Sequence, residues 1–171
     1  MKFDSKDLAL TAVFAALYAA GVIFLAPMSF GICQVRVADA LLPLSVVFGM
    51  PVALGTSFGC LVANVYGGLG VIDIVGGTVA NFVACVLAWL IGGENVTRRL
   101  TACLVETVTI TIIVGGYLAL IFNVPVETGL LGVFIGSVVA INVLGFAILE
   151  TLYRSGVSKK YAKMERKLKA T

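Results

Sequence analysis

The chain has 171 residues, 60% of them apolar and only 12% charged, with a mean hydropathy of +1.09. Ordinary soluble domains carry roughly 25% charged residues, so this composition excludes a water-soluble globular fold and points to an integral membrane protein. The formal charge of +3 does not indicate nucleic-acid binding, because seven of the twelve Lys and Arg residues lie after Tyr153, where a basic tail behind an apolar segment reads as a cytoplasmic membrane anchor.

A helix rises about 1.5 Å per residue and the hydrocarbon core is roughly 30 Å thick, so about 20 apolar residues make a span. After a charged start, Lys2 to Asp7, the first apolar run extends from Leu8 to Ala26. Pro27, Met28 and Phe30 follow instead of a small-residue cleavage site, so a retained helix is expected rather than a removed signal peptide. The stretch from Ala40 to Ile72 is too long for one span and too short for two full ones, and it contains Pro43, Gly49 and Pro51. Proline lacks a backbone donor and disfavours continuation of a helix. Gly49-Met50-Pro51 is therefore a break between a short second helix, Val35 to Phe48, and a third, Val52 to Val65. Three further spans run from Ile72 to Ile91, Leu100 to Phe122 and Leu130 to Tyr153.

The expected fold is an all-α bundle of six transmembrane helices over residues 8–153, between a terminus of residues 1–7 and a basic tail of residues 154–171. Charge supports the even count. With six spans Lys2, Lys6, Arg98, Arg99 and the tail all fall on one side, whereas five would set the N-terminal lysines opposite the tail. The positive-inside rule makes both ends cytoplasmic. The connections Pro27 to Gln34, Tyr66 to Val71 and Asn123 to Gly129 are then outside, and Gly49 to Pro51 and Gly92 to Arg99 inside.

Small residues recur every fourth position at Ala12, Ala16 and Ala20; at Gly55, Gly59 and Ala63; at Gly76, Ala80, Ala84 and Ala88; and at Gly132, Gly136 and Ala140. Each set lies on one helical face, where backbones approach closely. A set facing inward packs the bundle, and one left outside is a docking surface for another membrane protein. Cys33, Cys60, Cys85 and Cys103 read as small packing side chains, and with no histidine in the chain neither zinc nor haem is expected. Tyr66-Gly67-Gly68-Leu69-Gly70 lacks the Gly-Lys-Ser/Thr ending of a phosphate cradle, so ATP must act through another chain. An enzyme is not expected, since a recognisable nucleophile and base are missing.

The remaining chemistry lies in polar residues of the outer half. Gln34, Arg36 and Asp39 open the second helix, with Arg36 and Asp39 three residues apart on one face. They form either a capping ion pair at the membrane surface or the lining of a pocket. Asn64 ends the third helix, Asp73 opens the fourth across a Gly-rich turn, and Asn81 lies about 12 Å deeper on the face of Asp73. A buried amide in lipid needs a helix or a ligand as partner. Glu127 is expected in an exterior loop, Glu150 near the inner end of the last helix, and Glu106 in the fifth helix, where it snorkels or meets a partner.

The run Ala26-Pro27-Met28-Ser29-Phe30-Gly31, then Gln34-Val35-Arg36-Val37-Ala38-Asp39-Ala40-Leu41, Gly59-Cys60-Leu61-Val62-Ala63-Asn64 and Gly70-Val71-Ile72-Asp73-Ile74-Val75-Gly76 resembles the QueT-type queuosine-precursor transporters. The likeness covers roughly Leu8 to Glu150. It implies a substrate-binding subunit, or S component, of an energy-coupling factor transporter in a prokaryotic plasma membrane. Such a subunit takes its solute from outside and works with a membrane coupling protein and two cytoplasmic ATPases, with no cofactor of its own. In S components a small-residue motif on the first helix docks on the coupling protein, and Ala12, Ala16 and Ala20 match it. The implied ligand is a 7-deazaguanine such as 7-aminomethyl-7-deazaguanine, 7-cyano-7-deazaguanine or queuine. Its ring N–H donors suit Asp39 or Asp73, and its carbonyl suits Arg36, Gln34 or Asn64. The chain departs from the family pattern at Ala38-Asp39, where Ser-Glu is common. The alternatives are an S component for riboflavin or folate, since the fold does not fix the substrate, and a small channel or structural subunit.

Overall fold

The computed structural model describes residues 4–31, 34–159 and 161; Cys33 and the rest of the basic tail lie outside them. Six apolar helices make up the bundle: α1 (Ser5–Phe24), α2 (Val37–Phe48), α3 (Met50–Gly67), α4 (Val71–Ile91), α5 (Val96–Phe122) and α6 (Val126–Arg154). All but α2 are long and apolar enough to cross a membrane. A single helical turn, Ala26–Ser29, follows α1.

Local chemistry sets the boundaries. Asp4 caps α1, its carboxylate accepting from the backbone N–H of Lys6 (2.8 Å) and Asp7 (2.9 Å), while Asp7 accepts in return from the N–H of Asp4. Gly49 adopts φ 64, where a Cβ is disfavoured, and Pro51 sits in the first turn of α3. The expected break therefore falls where the sequence indicates. Helix α2 is wound as a 3-10 helix over Val37–Leu44 and as an α-helix over Ser45–Phe48. That winding makes it about 22 Å long, short of the hydrocarbon thickness, and it is sunk into the bundle with Ala38, Asp39, Ala40, Leu42, Pro43, Leu44 and Ser45 all buried.

Two boundaries differ most from expectation. Helix α5 starts at Val96 rather than Leu100, and α6 at Val126 rather than Leu130. Apolarity marks where side chains enter lipid, but helical hydrogen bonding begins earlier, with Arg99 N bonded to Asn95 O and Gly129 N to Pro125 O. Glu127 is thus not in a loop. It lies in the first turn of α6, where an acid favours the helix dipole. Within α5 and α6 the winding also widens to π-helix, over Thr111–Gly115 and Val138–Gly145, which period-3.6 reasoning does not anticipate.

Side-chain register fixes the directions of the helices. A Cβ on Gly55 would meet Thr11 and Phe14, and one on Gly59 would meet Ala15 and Tyr18, at 2.6–2.8 Å, so α1 and α3 run parallel with their backbones nearly touching. Thr56 against Cys85 and Asn64 against Asp73 make α4 antiparallel to α3. Arg99 against Glu150 and Asn142 against Thr107 make α6 antiparallel to α5. Gly145 against Pro43 aligns α6 with α2. One end of the bundle consequently carries Asp4, Gly49, the connection between α4 and α5, and Arg154. The other carries the connections after α1, α3 and α5.

The small-residue sets of α3, α4 and α6 turn into this packing, with Gly59, Ala63, Ala80, Ala84, Ala88, Gly132, Gly136 and Ala140 buried. On α1 the set faces outward: Ala12 and Ala16 are exposed and Ala20 is half-buried. The outer surface is apolar, with Phe24 86%, Leu120 74% and Val71 73% exposed. The interior holds charge. Glu106 is fully buried and does not snorkel, because it faces α2, where Ser45 Oγ donates to its Oε1 at a long 3.4 Å and its Oε2 has no partner among the described residues. A buried carboxylate left with an unpartnered oxygen costs stability. Glu106→Met is expected to raise the thermal unfolding midpoint in detergent, by the equivalent of about 1–4 kcal/mol. A lowered midpoint would mean that Glu106 is fully compensated.

Candidate functional site

Polar residues singled out in the sequence converge on the start of α2. In a 3-10 helix residues three apart eclipse one another, and Asp39 N bonds to Arg36 O at 2.9 Å, so Arg36 and Asp39 share a face. Both are buried. Arg36 is held on every side. Its Nε donates to Ser29 O (3.3 Å), Nη1 to Cys60 Sγ (3.6 Å) and Nη2 to Asn64 Oδ1 (2.9 Å), and Nη2 lies 3.9 Å from Asp73 Oδ1. Its guanidinium also sits 5.5 Å from the centre of the Phe30 ring.

Each carboxylate is paired with a tyrosine. Tyr18 of α1 donates its hydroxyl to Asp39 Oδ1 at 2.5 Å, and Tyr117 of α5 donates to Asp73 Oδ1 at 2.8 Å. Asn64 Nδ2 donates to the backbone carbonyl of Asp73 at 2.8 Å, tying α3 to α4. The two tyrosine–carboxylate bonds are charge-assisted and so of the strong kind, and a low-dielectric surrounding strengthens them further.

In front of this network lies a small cleft lined by Gln34, Arg36, Asp39 and Asn81, by Ser137, and by the apolar Ile110, Val114 and Val133. Its free space is about 10 Å³, room for one water-sized group. Gln34 Oε1 has no hydrogen-bond partner among the described residues. Asn81 Nδ2 donates to Thr56 O at a long 3.4 Å. Gly136 of α6 packs against the backbone of Gln34, since a Cβ there would overlap the Gln34 carbonyl.

Of the residues singled out in the sequence, Gln34, Arg36, Asp39 and Asn81 line the cleft. Asn64 and Asp73 stand behind Arg36 and hold it. Sequence reasoning missed Tyr18, Tyr117 and Ser137. A tyrosine buried deep in an apolar span was the available signal, because its hydroxyl needs a partner there.

A family model for the QueT transporter matches residues 8–154. The chain belongs to the QueT transporter family. It is accordingly a multi-pass membrane protein of a transport family, not of an enzyme family. No curated protein and no solved structure matches it. For this QueT family member the matched segment contains the entire cleft and both tyrosine–aspartate pairs.

Proposed function

We propose that this QueT family member is the S component of an energy-coupling factor transporter and captures a 7-deazaguanine queuosine precursor in the cleft at Gln34, Arg36, Asp39 and Asn81. The observation that carries the reading is the convergence of two amides, a guanidinium and a carboxylate on one space walled by Ile110, Val114 and Val133. The guanine-like edge offers adjacent N–H donors, which a carboxylate accepts, beside a carbonyl, which takes amide or guanidinium donors. Asp39 lines the cleft and Asp73 does not, which makes Asp39 the ligand-facing acid. Gln34 and Asn81 then serve the carbonyl, and Asn64 and Asp73 keep Arg36 in place. The free space is far smaller than a fused bicycle, so capture moves Gln34 and its backbone away from α6.

Uptake draws on ATP hydrolysed by two cytoplasmic ATPases, through a membrane coupling protein that docks on Ala12, Ala16 and Ala20. Those residues lie outward on α1, as a docking face requires. The termini-bearing end of the bundle is the cytoplasmic one in a prokaryotic plasma membrane.

The test is calorimetric titration of the purified protein in detergent with 7-aminomethyl-7-deazaguanine, 7-cyano-7-deazaguanine and queuine, with guanine and riboflavin alongside. At least one deazaguanine is expected to bind saturably and more tightly than guanine. Absence of heat with all three would end the substrate assignment, and tight riboflavin binding would replace it.

A further inference from the structure

At the end of the bundle opposite the polar cleft, the chain makes a second concavity that the transport reading leaves unused. After α6 the backbone reverses at Gly156, with φ 76, and returns beneath the bundle, where the Tyr161 ring packs edge-on against Phe48 at 5.0 Å. The return borders an open cavity of about 250 Å³ lined by Glu94, Arg99, Glu150, Tyr153, Arg154, Ser158 and Lys159.

The floor of this cavity is rigid. Arg99 is buried and donates to Glu150 Oε2 from Nε (3.1 Å) and Nη2 (2.7 Å), to Gly93 O (3.4 Å) and to Glu94 O. Its guanidinium stacks 4.1 Å from the centre of the Tyr153 ring. Arg154 reaches the same carboxylate at 3.3 Å while remaining 81% exposed, and Lys159 is exposed on the returning segment. Two arginines and a lysine thus face two glutamates, so the lining carries an excess of positive charge. Arg99 engages Glu150 Oε2 through two N–H groups and Arg154 engages Oε1, and the exposed Arg154 and Lys159 share the lining with Ser158.

We propose that this cavity binds the phosphate of an anionic phospholipid. A phosphate offers several acceptor oxygens to guanidinium, ammonium and hydroxyl donors. The position is that of a headgroup, since the cavity lies at the last turn of an apolar span, beside a tyrosine, where basic pockets between transmembrane helices meet anionic lipid. The apolar flank of α6, with exposed Ile148 and Leu144, supplies a surface for the acyl chain.

The test uses the full chain, delipidated in detergent and titrated with phosphatidylglycerol, phosphatidylcholine or inorganic phosphate, with bound lipid counted by native mass spectrometry and the unfolding midpoint read in parallel. Phosphatidylglycerol is expected to be retained over phosphatidylcholine. The Arg154→Gln/Lys159→Gln double variant, changed only at exposed side chains, should lose about thirtyfold in phosphatidylglycerol affinity while binding 7-deazaguanine as before. Equal retention of the two lipids, or a double variant that keeps the preference, would overturn the proposal. A midpoint shift by inorganic phosphate alone, lost in the double variant, would leave a phosphate site but remove the lipid. Competition by an acidic peptide without any lipid preference would assign the cavity to a protein partner instead.

Discussion

Asp39→Asn is expected to weaken 7-deazaguanine binding by at least about thirtyfold, the loss that follows from removing one partner of a buried charged hydrogen bond. The carboxamide has nearly the same shape, but it presents an NH2 group where the carboxylate accepts ring N–H donors. The fold should survive, because Asn still accepts from Tyr18 and sheds a buried charge whose desolvation is costly. Calorimetry beside a thermal melt separates the two effects: affinity falls and the melting midpoint holds or rises. An Asp39→Asn protein that binds as tightly as the parent would eliminate Asp39 as the ligand-facing acid. Tyr18→Phe supplies a graded companion. It removes only the hydroxyl that orients Asp39, so its loss in affinity should be smaller than that of Asp39→Asn.

Ala16→Trp is expected to abolish uptake in cells expressing the coupling module while leaving binding to the purified protein within about twofold of the parent, since surface changes away from a site usually cost less than about 0.5 kcal/mol. Ala16 is exposed on α1, and the opposite face of the same helix carries Thr11, Phe14, Tyr18 and Val22 into the core. A bulky side chain at position 16 therefore disturbs only what approaches from outside, where close backbone contact between helices depends on small residues. Transport of labelled 7-deazaguanine at the parental rate by Ala16→Trp would remove the docking role.

Much of the architecture was legible because lipid imposes a simple rule. A run such as Ile72 to Ile91 is either a span or nothing, and the structure gives Val71–Ile91. The break at Gly49 was equally plain, since proline and glycine act through local backbone chemistry. The starts of α5 and α6 were not, because Thr97, Arg98 and Glu127 are polar yet helical, and a hydropathy count stops before them. The 3-10 winding of Val37–Leu44 and the π-turns leave no period in so short a segment.

The candidate site divides in the same way. Gln34, Arg36, Asp39 and Asn81 stood out because an uncompensated polar group in lipid is costly. Which of them share a space is a tertiary matter: Asp39 lines the cleft, whereas Asp73 lies against Arg36 and outside the lining. Tyr18 escaped notice because tyrosine is counted with apolar residues in a span, and only the arrival of Asp39 at 2.5 Å discloses its hydroxyl as the important part.

The burial pattern described above sets apolar side chains outermost and adds Arg36, Asp39, Asp73, Arg99 and Glu106 to an interior that is otherwise largely apolar. Water drives soluble cores together, yet lipid tails are as apolar as leucine and exert no such pressure between helices. Cohesion in this bundle rests on close packing of side chains and backbones and on polar pairs that water would compete for. Detergents that admit water to the interior should therefore loosen the molecule from its centre, while its apolar exterior remains comfortably solvated.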